Sequence, residues 1–382
     1  MVVLLPPGAR TFPVKHSFAT VVPFVLSVAA TASAQSVVAF GWNANGQCTV
    51  PSTASGAKAV AGGWYHSLAV RGTNTCLAWG SNIYGQAAVP SSLGAVTQVA
   101  GGFAHSIALT STSGVVAWGG GQYNYGQGTV PASANVSSSR QVAAGKFHNV
   151  VLRTAYTVAA WGLNSDLQCD VPSTLGQARA VGAGDAFSAA VQITGRVAAW
   201  GNDQNGQCTV PASAAQVTSI ACGGRHVVAL RSDLTLVSWG DDSSGQCAIP
   251  PRLGAVAQVA AGNAHTVVML TDGTVVAWGD NTYGQTSVQQ ALAGALGSQI
   301  GAGAFHTLVV KAPLLGGAMP CPGDLSGDRE VDGRDLGLFL ASWGNGAKDP
   351  ADLDLDGDVD GADLGEMLAA WGPCGGTPPA QP

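Results

Sequence analysis

Apolar residues in most of this chain come in short runs, broken every few residues by Gly, Asn or Gln. The stretches 274–278 and His265–Leu270 alternate or fill with Val, Met and Leu, which predicts half- or fully buried strands. Asp272-Gly273 lies between them as a hairpin turn signal. This unit recurs. Trp-Gly stands at 79, 118, 161, 200, 239 and 278, with spacings of 39, 43, 39, 39 and 39. Phe40-Gly41 is an imperfect seventh copy. A turn and a Gln follow each copy: Gln47, Gln86, Gln127, Gln168, Gln207, Gln246 and Gln285. Next comes a Val-Ala-x-Gly-like strand and then His66, His105, His148, His226, His265 or His306, with Phe187 in the fourth copy.

Four strands per unit, repeated seven times, predict an all-β seven-bladed propeller over residues 35–311. The array opens with a Trp-Gly-type strand and ends with a His strand. Ring closure follows: Val37–Gly41 should complete the blade that ends with His306–Lys311 and leave no open edge. The Trp-Gly-x-Asn-x-x-Gly-Gln and Ala-Gly-x-x-His pieces resemble the regulator of chromosome condensation repeat family. The closer likeness is to short secreted bacterial versions, among them an inhibitor of β-lactamase. The resemblance implies the propeller fold and carries no activity with it.

Strand direction locates a variable surface. The Ala-Gly and Trp-Gly strands are both antiparallel to the His strand between them, so their exit turns emerge on one face. Those turns bring Trp42, Trp64, Tyr65, Tyr84, Phe103, Tyr123, Tyr125, Phe147, Tyr283 and Phe305, gathered in repeats one to three and seven. Repeats four to six bring Asp166, Asp185, Asp203, Asp241 and Asp242 instead. Clustered loop aromatics point to a face for a protein or glycan partner. They could equally pack under neighbouring turns and fill the blade tips. The six repeated His and seven repeated Gln read as scaffold, because a catalytic group is normally singular. Cys48, Cys169, Cys208 and Cys247 share one register in different blades and read as buried thiols; Cys76 and Cys222 fall elsewhere.

The two ends differ from this array. In residues 1–34, Arg10 and Lys15 precede an apolar run, and Ala32-Ser33-Ala34 is a small-x-small cleavage pattern. That predicts an export signal, too short in its apolar part for a membrane span. Residues 312–320 form a Pro/Gly-bearing linker. Residues 321–374 then carry two acidic copies offset by 28 residues, with a tail at 375–382. A calcium loop needs oxygen ligands at positions 1, 3, 5, 9 and 12 and a carbonyl at 7. The first copy offers Asp324, Ser326, Asp328, Glu330 (carbonyl), Asp332 and Asp335. The second offers Asp352, Asp354, Asp356, Asp358 (carbonyl), Asp360 and Asp363. An apolar helix pattern follows each. Gly357 takes the sharp-turn position, where the first loop has Arg329. Asp at position 12 and the missing entering helix resemble the half-EF-hand repeats of type I dockerins. That likeness implies a small α-helical module binding two Ca²⁺ and a cohesin-like scaffold as partner. The contact positions, Gly333-Arg334 and Gly361-Ala362, depart from the Ser/Thr of that family. Cys321 and Cys374 flank the pair, and export permits a disulfide between them.

Composition narrows the function class. Charged residues are 10% of the chain, against about 25% in typical domains. The net charge of −6 sums about +2 in the leader, +2 in the propeller and −10 after residue 320. The propeller has no Glu and no evident pair of Asp residues for acid/base work, so no catalytic residues and no enzyme are expected. The low propeller charge, without a basic cluster, argues against nucleic acid. The expected function is an exported, non-enzymatic binding or scaffold protein, secreted or at the cell surface. A component of an extracellular polysaccharide-degrading system, or an inhibitor of a secreted enzyme, is the alternative.

Overall fold

The computed structural model describes residues 36–134, 136–292, 295–311, 323, 325, 330–344, 351, 353 and 358–373. The propeller consists of seven blades. In blade one the Ala-Gly strand Ala57–Gly62 pairs antiparallel with the His strand His66–Arg71, which pairs antiparallel with the Trp-Gly strand Cys76–Gly80. Blades two to six repeat this order. Blade seven is built from both ends of the array: Val37–Gly41 pairs with His306–Lys311, in the register Val37↔Val310 to Gly41↔His306.

Each blade has three strands, not the four predicted. The Gln-x-x-Val-Pro segment is apolar enough to look like a strand but is occupied as a turn. In all seven copies the Gln side-chain oxygen accepts the backbone N–H two residues before it, as from Asn45 to Gln47 (3.0 Å). In all seven an Asn or Asp caps the same turn, as Asn43 does for the Cys48 N–H (2.7 Å). A Pro closes the segment in most copies and cannot donate to a ladder. These backbone groups are satisfied locally, so no fourth ladder forms.

The core lies between blades. One cluster joins Val60, Ala69 and Trp79 of blade one to Leu308 and Val310 of blade seven, and similar clusters fill the other junctions. Every His strand has its first five residues buried, because it is covered by a blade on each side. That burial explains runs such as Val267-Val268-Met269, where an alternating strand would have put polar residues outward. Every Ala-Gly strand carries a one-residue bulge near its start, at Lys58 in blade one and Arg140 in blade three.

Two glycine registers are dictated by close approach. Gly80 of Trp79-Gly80 has φ +96°, and a Cβ there would lie 2.8 Å from the Tyr65 carbonyl oxygen. All seven equivalents share the positive φ. Gly63 lies under the ring of His66, where a Cβ would be 2.1 Å from a ring carbon. Towards the axis the turns are joined in a circle. Trp64 N–H donates to the Gly102 carbonyl, Phe103 to Lys146, Lys146 to Gly184, Asp185 to Gly224, Gly224 to Gly262, Asn263 to Ala304, and Ala304 back to Gly63, at 3.0–3.2 Å. Gly62, Gly101, Ala144, Ala183, Cys222, Ala261 and Ala302, one per blade, line the narrow channel. Only small residues let seven strands converge there.

The C-terminal residues form their own small core of Val331, Phe339, Ala351, Val359 and Met367. Two helices, Gly333–Ser342 and Gly361–Ala369, begin where the repeat pattern places them. Glu330–Val331 pairs antiparallel with Gly372–Pro373. Residues 1–34, the linker 312–320 and the Cys321/Cys374 pair lie outside the described residues. No described helix is long and apolar enough to cross a membrane.

Candidate functional site: an aromatic face beside a polar cleft

The exit turns of the Ala-Gly and Trp-Gly strands meet on one face, as the strand directions require. The Trp42 and Ser81 backbone N–H groups donate to the carbonyls of Phe305 and Tyr65 in the adjoining turns (2.9 and 2.8 Å). All ten aromatic residues named from the sequence join one network of ring contacts. Trp42 meets Tyr65, Tyr283 and Phe305 at 5.1, 5.9 and 5.7 Å between centroids. Trp64 meets Phe103 and Phe305 at 5.2 and 5.8 Å, linking blades one, two and seven. Phe103 continues to Tyr84, Tyr123 and Phe147, and Tyr125 closes on Phe147 at 5.3 Å. Most contacts are edge-to-face, the geometry that the ring quadrupole favours. Eight of the ten side chains are half-buried; Tyr125 and Tyr283 are 50% and 49% exposed. The rings therefore support each other and still present an open apolar surface.

Charged residues missed as site members border this surface. The Lys146 ammonium lies 4.3 Å from the Trp64 ring centre and 5.6 Å from that of Phe147, a cation–π arrangement. Lys146, Phe147, Leu163, Asp185, Asn202, Gln204 and Arg225 line a cleft of about 240 Å³. Burial pushes the Asp185 carboxyl up to about 6, against the pull of Lys146 and Arg225. Among the described residues nothing donates a hydrogen bond to that carboxylate. Lys146, Asp185 and Arg225 all lie in the two positions before the His slot. That register was the one available signal, and their chemistry differs too much between copies for a repeat to reveal it.

The repeated polar residues are scaffold. Each His Nε2 contacts the next blade: His66 to Ser106 (2.9 Å), His105 to Asn149 (3.1 Å), His148 to Ser188 (3.0 Å), His226 to Thr266 (3.1 Å), His265 to Thr307 (3.1 Å) and His306 to Ser67 (2.8 Å). The Ser and Thr hydroxyls each donate to a Gln carbonyl, as Ser67 does to Gln47 (2.9 Å). With their protons committed, they must accept, so Nε2 carries the imidazole hydrogen. The six Nδ1 atoms are buried without a partner. Burial lowers all six His to about 3 or 4, so they are neutral at pH 7. In blade four both members of the pair are apolar: Phe187 faces the slot of Val227, and both sit in one core cluster.

The six described cysteines are free thiols, half-buried rather than buried. Cys48, Cys169, Cys208 and Cys247 each donate to the carbonyl six residues before, at 3.2–3.4 Å. Burial pushes these four up to about 12, away from the reactive thiolate range.

Charge is segregated by face, which corrects the reading of a propeller without a basic cluster. Lys146 and Arg225 lie on the aromatic side. Lys58, Arg140 and Arg179 sit at strand bulges, Arg71, Arg153, Arg231 and Lys311 end His strands, and Arg196 and Arg252 lie in turns at the same end. Nine of eleven cations thus share the face opposite the aromatics. Of the propeller's own carboxylates only Asp233 and Asp272 lie at that end.

In the C-terminal module Asp335 and Asp363 are fully buried. Asp363 accepts the Leu353 and Asp360 N–H groups (2.5 and 2.8 Å), and Asp335 accepts the Asp332 N–H (2.9 Å). Asp360 and Asp363 form a capping box on the second helix. Asp324, Ser326, Asp328, Asp352, Asp354 and Asp356 lie outside the described residues. Among the described residues no group of three metal-ligating side chains assembles. Both buried carboxylates stand at position 12 of the loops expected from the sequence.

Four repeats, 57–86, 96–127, 217–246 and 256–285, match the family model described as the Regulator of chromosome condensation (RCC1) repeat. No curated protein matches the chain. Among solved structures it is similar to Prp20p of Saccharomyces cerevisiae, with 18% identity, a TM-score of 0.60, and 74% of this chain and 93% of that one covered. It is also similar to human WBSCR16, with 19% identity, a TM-score of 0.59, and coverage of 74% and 100%. The ectodomain of the Arabidopsis thaliana receptor kinase ACR4 shows 21% identity, a TM-score of 0.54, and coverage of 66% and 93%. The fold is thus an RCC1-like β-propeller of seven three-stranded blades.

Proposed function

We propose that this chain is an exported, non-enzymatic binding protein: the aromatic face takes a protein or glycan partner, and the C-terminal module binds two Ca²⁺ and tethers or assembles the propeller. The continuous network of ten aromatic rings carries this reading. It places large, pre-ordered apolar area beside a cation and a partly desolvated carboxyl, the composition of a binding hot spot. The likeness to Prp20p, whose structure was described together with its binding to Gsp1p and histones, supports a protein-binding propeller. The repeated His join neighbouring blades and the repeated Gln hold their own turns, which leaves the variable turns to recognise a partner.

The test replaces Trp64, Tyr65 and Tyr125 with Ala and measures capture from culture supernatant, binding on a glycan array and melting in parallel. Capture or glycan binding should fall more than about 30-fold, since one hot-spot truncation costs about 2 kcal/mol or more. A large loss of melting temperature with capture unchanged would assign the rings to blade-tip packing. For the tail, calorimetric titration of the full chain should show two Ca²⁺ sites, the Arg329 loop the weaker. Absence of heat at millimolar Ca²⁺ would end the ion role.

A further inference from the structure

We infer that the face opposite the aromatic ring is a second binding surface, one for an anionic polysaccharide bearing carboxylate or sulfate groups. The choice of polysaccharide rests on the export reading; the choice of an anion rests on charge alone. Lys58, Arg140, Arg179, Arg196 and Arg252 are all exposed. They come from five different positions around blades one, three, four and the junction before blade six, so the charge spans the face and is not one local cluster. The two carboxylates there are engaged in their own turns: Asp233 accepts from Thr235 (3.1 and 2.6 Å) and Asp272 from Thr274 (2.8 Å). They neutralise little of the field.

The chemistry of the cations selects the ligand class. Four of these five are Arg, whose planar fork pairs with two oxygens of one carboxylate or sulfate. Several are already oriented: Arg179 donates to the Ile193 carbonyl, and the Arg140 guanidinium stacks 4.6 Å over the Tyr156 ring. A single-stranded nucleic acid would in addition need open aromatic platforms for its bases. Tyr156 is the one aromatic among the described residues at this end, and Arg140 covers it. Tyr125 and Tyr283, the most exposed aromatics of the propeller, lie on the other face. The opposing faces thus divide the work: apolar contact on one, anion contact on the other.

The test uses the purified full chain, so its result does not depend on whether the protein is exported. Polygalacturonate, heparin and a 20-base-pair DNA duplex are the probes, at about 50 to 300 mM NaCl. Polygalacturonate or heparin should bind at low salt and weaken steeply as salt shortens the screening length below about 10 Å. Arg140→Glu/Arg179→Glu/Arg196→Glu should lose at least tenfold in affinity. The matching triple Lys variant should fall between the native chain and the Glu variant, because it keeps the charge and loses the two-oxygen fork, a graded order that a purely structural role of these side chains would not give. Ile83→Ala, which removes an exposed side chain from a turn on the aromatic side, should leave polysaccharide binding unchanged. Tighter binding of DNA than of either polysaccharide overturns the ligand class. No binding at low salt, or equal binding by the Glu variant with an unchanged melting temperature, overturns the site.

Discussion

Lowering the pH from 7 to 5 should unfold the propeller in one cooperative step. Six buried His are lowered to about 3 or 4 in the folded state, against about 6.5 when unfolded. A base held neutral by burial contributes stability that is present above its unfolded pKa and is lost as pH falls below it, because the unfolded chain takes up the proton first. Each imidazole then loses about 2 kcal/mol between pH 7 and 5, or about 11 kcal/mol for six. Asp185 acts in the opposite sense: raised to about 6, it takes its proton while folded and returns about 1 kcal/mol. The net of about 10 kcal/mol matches the whole stability of an ordinary domain. Tryptophan fluorescence and far-UV circular dichroism should change together near pH 5, with uptake of about five protons per molecule. A native signal persisting at pH 4.5 would mean that the blades open locally and hydrate the imidazoles.

Phe187→His should destabilise the protein by about 2–5 kcal/mol, and Val227→Thr should rescue part of it. Phe187 is among the largest fully buried side chains, and it meets Val227 where the other blades place a polar pair. A His there would bury an Nε2–H with no acceptor, which costs the desolvation of that group as well as lost packing. Threonine at 227 supplies the oxygen. Its own proton has an acceptor waiting, the Gln207 carbonyl, which in the native chain receives Trp239 Nε1 (3.1 Å). Single and double variants form a cycle read by chemical denaturation, with a coupling of about 1–3 kcal/mol expected. Additive losses would show that the six native His bonds contribute no net stability and that the ring is held by packing alone.

The same pair shows how much was legible in the sequence. Six His and one Phe in a single register mark an internal scaffold, and the structure places them so. The partners were not legible, because Ser106 lies 40 residues from His66 and any of several neighbouring hydroxyls could have served. The ten aromatics could be named from strand direction alone. Their joining into one network could not, since ring contact depends on how far each blade rotates against the next. The predicted fourth strand failed for a local reason: the Gln and Asn side chains satisfy that segment's backbone, and nothing in an apolar pattern reveals a side chain doing so.

By itself the sequence determined what repetition encodes: seven units, strand direction, closure of blade seven by Val37–Gly41, and two matched acidic copies at the C-terminus. Each rests on short-range spacing, which one chain carries in full. Only the tertiary structure decided where the charges meet. Lys58 sits at a bulge, Arg71 at a strand end, Arg196 in a hairpin and Arg252 in a loop, four different registers of the repeat. Folding brings all four to one end of their strands. Lys146 reaches Trp64 two blades away because the ring curves towards its axis. A propeller that is nearly neutral as a sum is strongly divided as a solid, because charge adds by residue while a field depends on position.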